Sequence, residues 1–225
     1  MKTRFFGFTL AETLITLAII GVVAALTLPV LIQNIQQKIF ISRWKKAYAD
    51  LNQAFVFVKS QDEFEKYYNC SEYRCYQNIA NLIMDKYISK TENPDFSAGD
   101  YKKYKYKTIL GDDFIIRPTF HAAYNVNNMT FFIWNFLPHS ITIYVDVNRV
   151  ENPPNVLGKD LFAVVITNDE IHPIGQFSDG DFCKGFGNTF INGVQSIYYD
   201  DEGNEKSIPL SNYAGLGCSY DYLYK

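Results

Sequence analysis

A single carboxylate, Glu12, lies at the edge of the longest apolar run in this chain of 225 residues. Residues 13–32 carry no charge, and an acid within lipid costs about 2.5–3.5 kcal/mol at the bilayer centre and less near an edge. Glu12 therefore either reaches back to the headgroup level or awaits a positive partner from another chain. Cleavage after Gly7 would free an amine on Phe8, and a neighbouring subunit would then supply that partner. In an isolated subunit we expect both charges to be unpaired.

A second segment whose side chains could bind a ligand is the oxygen-rich stretch at 146–162, DVNRVENPPNVLGKDLF. Four of its side chains offer the hard oxygen ligands that calcium prefers: Asp146, Asn148, Asn155 and Asp160. The alternative is a long turn whose Asx side chains bond backbone amides. The low charge count and the lack of EF-hand spacing favour the turn. Calcium is the one cofactor that the sequence suggests.

The chain has an even number of cysteines, at Cys70, Cys75, Cys183 and Cys218. In an exported domain this number predicts two disulfides, and three pairings are possible. A Cys70–Cys75 bond would close a small local loop. A Cys183–Cys218 bond would hold the C-terminal segment, which shows little secondary structure and few apolar anchors. A zinc site using all four cysteines is the alternative, although neither half has a CxxC knuckle.

Patterns typical of enzymes and nucleic-acid binders are missing from the sequence. There is no GxSxG, HExxH or phosphate loop, and the three histidines are scattered, so we expect no catalytic residues and no enzyme. The 21 basic and 24 acidic residues leave no positive surplus for a phosphate backbone. The alternating aromatics and lysines of residues 101–107 could form a nucleic-acid surface, but they fit a strand with one solvated face better.

The uncharged run requires an element that can bury it. As a helix rising 1.5 Å per residue, its twenty residues span a bilayer core of about 30 Å, and no other stretch approaches this length. A basic start before an apolar run also fits a secretory signal peptide cut after Ala25. In that case the protein would be a secreted periplasmic binding protein. The other alternative is a binding protein or enzyme that the apolar run anchors in the membrane. The run continues to Ile32, however, and an export signal gains nothing from Glu12.

Residues 2–12, KTRFFGFTLAE, followed by the apolar run and Pro29, resemble the leader of type IV pilins and type II secretion pseudopilins. The resemblance implies that a membrane-embedded aspartyl peptidase cuts between Gly7 and Phe8 and methylates the new amine. It makes Glu12 the assembly acid and Pro29 the proline that bends the helix. The 146–162 loop is likewise similar to loops in pseudopilin-like heads.

Apolar periodicity continues beyond the membrane-length run. Apolar residues, nearly all at spacings of three or four, form one helical face: Ile35, Ile39, Trp44, Tyr48, Leu51, Phe55 and Val58. We therefore predict one helix from Phe8 to about Ser60, bent at Pro29. The predicted organisation is a leader at 1–7, a transmembrane or fibre-core helix at 8–32, its amphipathic continuation at 33–66 and an exported head at 67–225.

The head is predicted to contain a short helix, Cys75–Tyr87, and an antiparallel sheet, which together with the long helix give an α+β pilin-like fold. The predicted strands are Tyr106–Leu110, Phe114–Arg117, Thr130–Trp134, Ile141–Val147, Leu161–Thr167 and Val194–Tyr199.

The resemblance implies a structural subunit of a type IV pilus or a type II secretion pseudopilus. Its partners would be copies of itself or other pilins, the prepilin peptidase, the assembly platform and the inner membrane, with no nucleic acid. The N-terminus would lie in the cytoplasm and the head in the periplasm or outside. Charge counting alone favours the opposite orientation, because four cations follow the run at 38–46.

Overall fold

The structure of the protein is a computed structural model. It describes residues 9–61, 64, 78–79, 82–84, 105–114, 122–137, 140–166, 170–174, 197–199, 205–207, 215 and 217–224. The chain divides into two compact units, Met1–Ile39 and Phe40–Lys225.

Helix α1 spans Leu10–Lys59, with Pro29 inside it, so the predicted long helix is confirmed over the described residues. In the part of the chain that the structure describes, α1 is the one helix long and apolar enough to cross a membrane. No residue of its most apolar window is buried, and Leu10 and Leu26 are more than 70% exposed. This surface needs lipid or other helices to cover it, because soluble proteins rarely expose so large an apolar patch.

The second unit begins with the last twenty residues of α1, which carry a buried apolar face. Its fully buried members are Trp44, Ala47, Leu51, Ala54, Phe55 and Val58. The predicted face is therefore correct from Trp44 onward, with Tyr48 half-buried, whereas Ile35 and Ile39 are exposed. The Trp44 ring stacks on Phe162 with a centroid distance of 5.0 Å.

An antiparallel sheet forms the centre of this unit. Its five strands follow one another in chain order, β3-β4-β5-β6-β7. Their bounds are Ala122–Val126, Met129–Leu137, Ser140–Asp146, Leu161–Ile166 and Ile171–Pro173. Two separate pairs accompany the sheet: β1 (Tyr106–Lys107) with β2 (Asp113–Phe114), and β8 (Ile197–Tyr199) with β9 (Glu205–Ser207).

Strand alternation gives the sheet two buried faces. Phe162 and Val164 on β6 belong to the cluster that contains the α1 residues, together with Ile141 and Ile143 on β5. The residues between them point to the other face. That face forms a second cluster with the β1–β2 pair and the β5–β6 loop: Tyr106, Phe114, Phe132, Tyr144, Val150, Leu157, Leu161, Ala163, Val165 and Ile174. The sheet is thus the middle of three layers.

The C-terminal segment differs from the prediction. Helix α2 spans Cys218–Tyr224, and Tyr222 and Leu223 pack against the core. Backbone N–H of Ala163 donates to the Ser219 hydroxyl at 3.0 Å, so the helix is also bonded to the sheet. The expectation of little secondary structure and few apolar anchors was therefore wrong for these last residues, and most of residues 184–216 lie outside the described part of the chain.

The predicted helix Cys75–Tyr87 lies mostly outside the described residues. Residues 78–79 and 82–84, which are described, are helical, and Ile79 and Ile83 are fully buried. That agrees with a helix that contributes to the core.

Trp44 connects α1 to α2, and a substitution there tests this packing. Its Nε1 donates to the Ser219 carbonyl at 2.9 Å in a buried position. We expect Trp44→Phe to lower the free energy of unfolding by about 1–3 kcal/mol, through a lost buried hydrogen bond and a small cavity. Urea unfolding of the detergent-solubilised full chain measures the loss. Tyr48→Phe is the control, because the Tyr48 hydroxyl bonds the Ile171 carbonyl at 3.3 Å from a half-buried position and should cost less than about 1 kcal/mol. Equal losses would contradict this account.

Candidate assembly site and oxygen-rich loop

The processing junction, Gly7 and Phe8, lies outside the described residues, and the description begins at Thr9. Thr9 is the N-cap of α1, because the helix starts at Leu10. The Glu12 carboxylate accepts hydrogen bonds from the Thr9 backbone N–H and from the Thr9 hydroxyl, both at 2.8 Å. In return, the Glu12 N–H donates to the Thr9 hydroxyl oxygen at 3.3 Å.

This reciprocal arrangement is a capping box, which satisfies N–H groups that a helix start otherwise leaves without partners. The sequence-based expectation of an unpaired charge did not include these hydrogen bonds, whose donors are neutral. Among the described residues, however, no cationic side chain lies within salt-bridge distance of Glu12. The cap thus holds the Glu12 carboxylate at the N-terminal end of the helix, and the negative charge of Glu12 remains available to a cationic partner.

Pro29 lies in the interior of α1, which continues through it to Lys59. Proline has no N–H, so the carbonyl four residues earlier, on Ala25, loses its usual helical donor. Near this point the Thr27 hydroxyl donates to the Val23 carbonyl at 2.9 Å. The predicted bend at Pro29 and its role in assembly stay predictions.

The four predicted calcium ligands all lie on or beside one loop, between β5 and β6. Asp146 is the last residue of β5 and Asp160 immediately precedes β6, and both side chains are fully buried. Asn148 is 9% exposed and Asn155 is half-buried. The sequence therefore identified residues that the fold collects in one place.

Each oxygen of the Asp146 and Asp160 carboxylates accepts a hydrogen bond. Asp146 receives the Asn148 backbone N–H at 3.0 Å on one oxygen and the Tyr106 hydroxyl at 2.7 Å on the other. Asp160 receives the backbone N–H groups of Asn155 at 2.7 Å and Val156 at 2.6 Å. These are the side-chain-to-amide bonds that the Asx-turn alternative predicted.

Burial and mutual repulsion make the two carboxylates hard to ionise together. Burial, then the nearby Asp160 charge, raises the pKa of Asp146 to about 8, although hydrogen bonds from Tyr106 and Asn148 oppose the rise. Burial likewise raises the pKa of Asp160. The pKa of the fully buried Tyr106 hydroxyl is also raised, chiefly by burial and then by the Asp146 charge. The loop therefore holds two acidic groups in a place where their ionised forms are poorly solvated.

The loop is fastened to neighbouring segments on two sides. Lys107 on β1 exchanges backbone bonds with it, donating to the Asn155 carbonyl and accepting from the Leu157 N–H, both at 2.9 Å. Gly158, with φ +77°, lies so close to the C-terminal segment that a Cβ there would be 2.4 Å from the Gly215 carbonyl oxygen. The loop geometry thus depends on residues distant in sequence.

Cys218 is disulfide-bonded and fully buried at the start of α2. A zinc site using all four cysteines is therefore wrong. The other three cysteines, Cys70, Cys75 and Cys183, lie outside the described residues, so the predicted pairings stay predictions.

A long N-terminal apolar helix followed by a head with antiparallel sheets defines an α+β pilin-like fold. Residues 2–28 match the family model described as the prokaryotic N-terminal methylation motif, the hallmark of type IV pilins and pseudopilins. That family is structural rather than enzymatic. No curated protein and no solved structure matches the chain.

Proposed function

We propose that this protein is a structural subunit of a type IV pilus or a type II secretion pseudopilus. It is made as a precursor, cut after Gly7, N-methylated on Phe8 and polymerised through α1. The observation that carries this proposal is the methylation motif at residues 2–28, which is continuous with a helix whose first thirty residues expose an apolar surface.

The exposed surface of α1 supports both stages of this life cycle. Before assembly, a bilayer covers the uncharged run, whose length matches the hydrocarbon core. After assembly, helices of neighbouring subunits replace the lipid, since packed apolar helices offer an equivalent environment. One helix therefore serves as anchor and as fibre core.

The motif supports the proposed location. The leader lies in the cytoplasm, α1 crosses the inner membrane once, and the head lies in the periplasm or outside. The proposed partners are the prepilin peptidase, an assembly platform and further pilin subunits. The capping box adds a role for Thr9, which holds the Glu12 carboxylate at the start of α1.

Processing provides the direct test of this function. Mass spectrometry of membrane-extracted protein should show the loss of residues 1–7 and a gain of about 14 mass units, because one methyl group is added to the new amine. Tandem fragmentation should place that gain on Phe8. A mature chain that begins at Leu26 would contradict the proposal, because it would mean that the apolar run is a secretory signal.

Two variants separate the competing cleavage sites. Gly7→Leu alters the junction without touching the apolar run, and we expect only unprocessed precursor from it. Ala25→Leu alters the small-residue site of the signal-peptide alternative, and we expect a normally processed product. The reverse pattern of the two variants would favour the secreted alternative.

A further inference from the structure

A groove of about 530 Å³ lies between the last turns of α1 and the start of β7. Its floor is apolar, because Phe55 and Ile171 line it and are almost fully buried, and Val56, which is 62% exposed, forms part of one wall. The Tyr48 hydroxyl donates to the Ile171 carbonyl at 3.3 Å and so holds the two walls together. The groove is therefore preformed, and its volume lies within the range of about 300–1,000 Å³ that is usual for binding clefts.

The two ends of this groove carry charges of opposite sign. The Glu170 side chain is 70% exposed, and its charge contributes, after burial and the Tyr224 hydroxyl, to the raised pKa of Tyr48. Glu170 therefore lies at the Tyr48 end. Lys59 follows eleven residues later on α1, about 16 Å further by the helical rise, with its Nζ 5.9 Å from the centroid of the Phe55 ring. The groove thus suits a partner with an apolar centre and one charge of each sign.

The turn between β1 and β2 carries groups that match the groove. Leu110 in this turn is 52% exposed, although it is a large apolar side chain. A Cβ on the next residue, Gly111, would have no described residue within 4 Å, so the turn projects from the surface. Asp112 and Lys107, which are both exposed, stand on either side of Leu110 in the sequence. An apolar side chain flanked by an acid and a base is the complement of the groove.

This turn is also rigid. The Thr108 N–H donates to the Asp112 carbonyl at 2.8 Å, and the Gly111 N–H donates to the Thr108 carbonyl at 3.0 Å. The Asp112 N–H in turn donates to the Thr108 hydroxyl at 3.1 Å. Ile109 packs against the core and anchors the turn. Because the turn is already ordered, little conformational entropy is lost when it binds a partner.

The groove and the turn lie at opposite ends of the second unit. Arg43 Nη1 donates to the Val147 carbonyl at 3.0 Å, so α1 enters this unit beside the β5–β6 loop. The β1–β2 pair is hydrogen-bonded to that same loop. The groove lies instead beside Ile171, which pairs with Ile166 at the other end of β6. Two complementary surfaces at opposite ends of a molecule join its copies head to tail.

We propose that the β1–β2 turn of one copy docks in the groove of a second copy. Leu110 enters the apolar part of the groove. Asp112 then faces Lys59 of the second copy, and Lys107 faces its Glu170. This inference rests on the proposed function and deepens it, because it names the surfaces through which the exported parts of neighbouring subunits meet. Such a contact repeats along a filament without closing.

The charges also fix the direction in which the turn enters the groove. In the reverse direction Asp112 would meet Glu170 and Lys107 would meet Lys59, and like charges at an interface are strongly penalised. In the proposed direction both pairs are attractive, and Leu110 leaves water together with the groove floor. The contact is therefore specific for one orientation of neighbouring copies.

Cysteine cross-linking in sheared filaments of the full chain tests the contact. Val56→Cys places a thiol on the groove and Leu110→Cys places one on the turn, and a short bismaleimide joins thiols within its reach. We expect the double variant to give a ladder of multimers. The two single variants expressed together should give dimers alone, because each copy then offers one thiol. Wild-type filaments treated in the same way control for the native cysteines.

Each result of this experiment has a distinct meaning. Filaments that form normally but give no cross-links would overturn the docking contact and leave the proposed function standing. Cross-links from either single variant alone would also overturn it, since like surfaces would then face each other. If the wild-type chain is not cut after Gly7 and forms no filaments, the proposed function fails and the docking contact fails with it.

Charge reversal covers the case in which the cysteine variants do not assemble. We expect Lys59→Glu and Asp112→Lys each to lower filament yield by roughly 3–30-fold, because each turns an attraction at the rim into a repulsion. The double variant should recover most of the yield, which a merely structural role of either residue would not produce. Lys46→Glu, an exposed position on another side of α1, is the matched control and should assemble normally. Single variants that assemble like the wild type, or losses that add in the double variant, would overturn the proposal.

Discussion

Replacing Glu12 with glutamine is expected to leave the precursor cleaved and inserted but to reduce sheared filaments by roughly 100-fold or more. In the proposed filament, the Glu12 carboxylate faces the methylated amine of Phe8 in an adjacent subunit. Removing one partner of a buried charge pair costs about 3–5 kcal/mol, because the other charge is left buried without compensation. Each 1.4 kcal/mol corresponds to a factor of ten.

Glutamine is the informative substitution because of the capping box. Glutamine at the third helical position can still accept from the N-cap residue, so Glu12→Gln keeps the hydrogen bonds to Thr9 and removes only the charge. Glu12→Leu removes both. If charge governs assembly, the two variants should fail alike; if the cap governs it, only leucine should fail.

Filament yield is measured in the shear fraction and compared with the amount of processed protein in the membrane. Thr13→Val is the matched control, since it deletes a polar group in the same turn whose hydroxyl bonds only the Leu10 carbonyl at 2.8 Å. Normal filaments from Glu12→Leu would show that the acid has another role. Apolar packing of α1 would then be the remaining force for assembly.

The long helix was predictable because its signals are local and repeated. An uncharged run and an apolar stripe at spacings of three and four together bracket α1 to within a few residues. The role of Thr9 was missed, although Thr9-Leu10-Ala11-Glu12 has the spacing of a capping box. The sequence was interpreted to place the Glu12 charge either at the headgroup level or against a positive partner in another chain.

The sheet was predicted less completely because several strands are short or only partly apolar. The prediction did not include β3, although Asn127 and Asn128 follow it with φ of 50° and 62°, the backbone of a tight two-residue hairpin turn. It also missed β7, an edge strand of three residues that ends in Pro173 and thus carries little periodic signal. The predicted strand Tyr106–Leu110 is confirmed over Tyr106–Lys107 alone, and of the predicted strand Phe114–Arg117 only Phe114 is described, in β2.

The oxygen-rich loop shows why residue types alone do not decide a site. The sequence identified Asp146 and Asp160 but favoured a turn whose Asx side chains bond backbone amides, because the charge count is low and EF-hand spacing is missing. Their complete burial depends on Tyr106, forty residues upstream, and on the segment near Gly215. Such contacts between distant residues have no local signature.

Replacing Cys218 with serine is expected to lower the free energy of unfolding by about 2–5 kcal/mol, the usual cost of losing a native disulfide from a small exported domain. The sulfur lies fully buried at the start of α2, where a Cβ on Gly158 would be only 2.7 Å away. The loss should therefore loosen both α2 and the neighbouring loop. Denaturant unfolding and limited proteolysis of the full chain measure it, and wild-type behaviour in both would contradict the expectation.

The predicted partner, Cys183, is tested by combining substitutions. If Cys183 and Cys218 are bonded, Cys183→Ser should cost as much as Cys218→Ser, and the double variant should lose no more than either one, because the bond is already broken. Cys70→Ser should instead add its own loss to that of Cys218→Ser, since it would break a different bond. Peptide mapping without reduction gives the independent readout, a cross-linked pair of peptides containing residues 183 and 218. If the losses of unfolding free energy from Cys183→Ser and Cys218→Ser add in full, the partner of Cys218 is Cys70 or Cys75. The disulfide would then join α2 to the segment that follows α1.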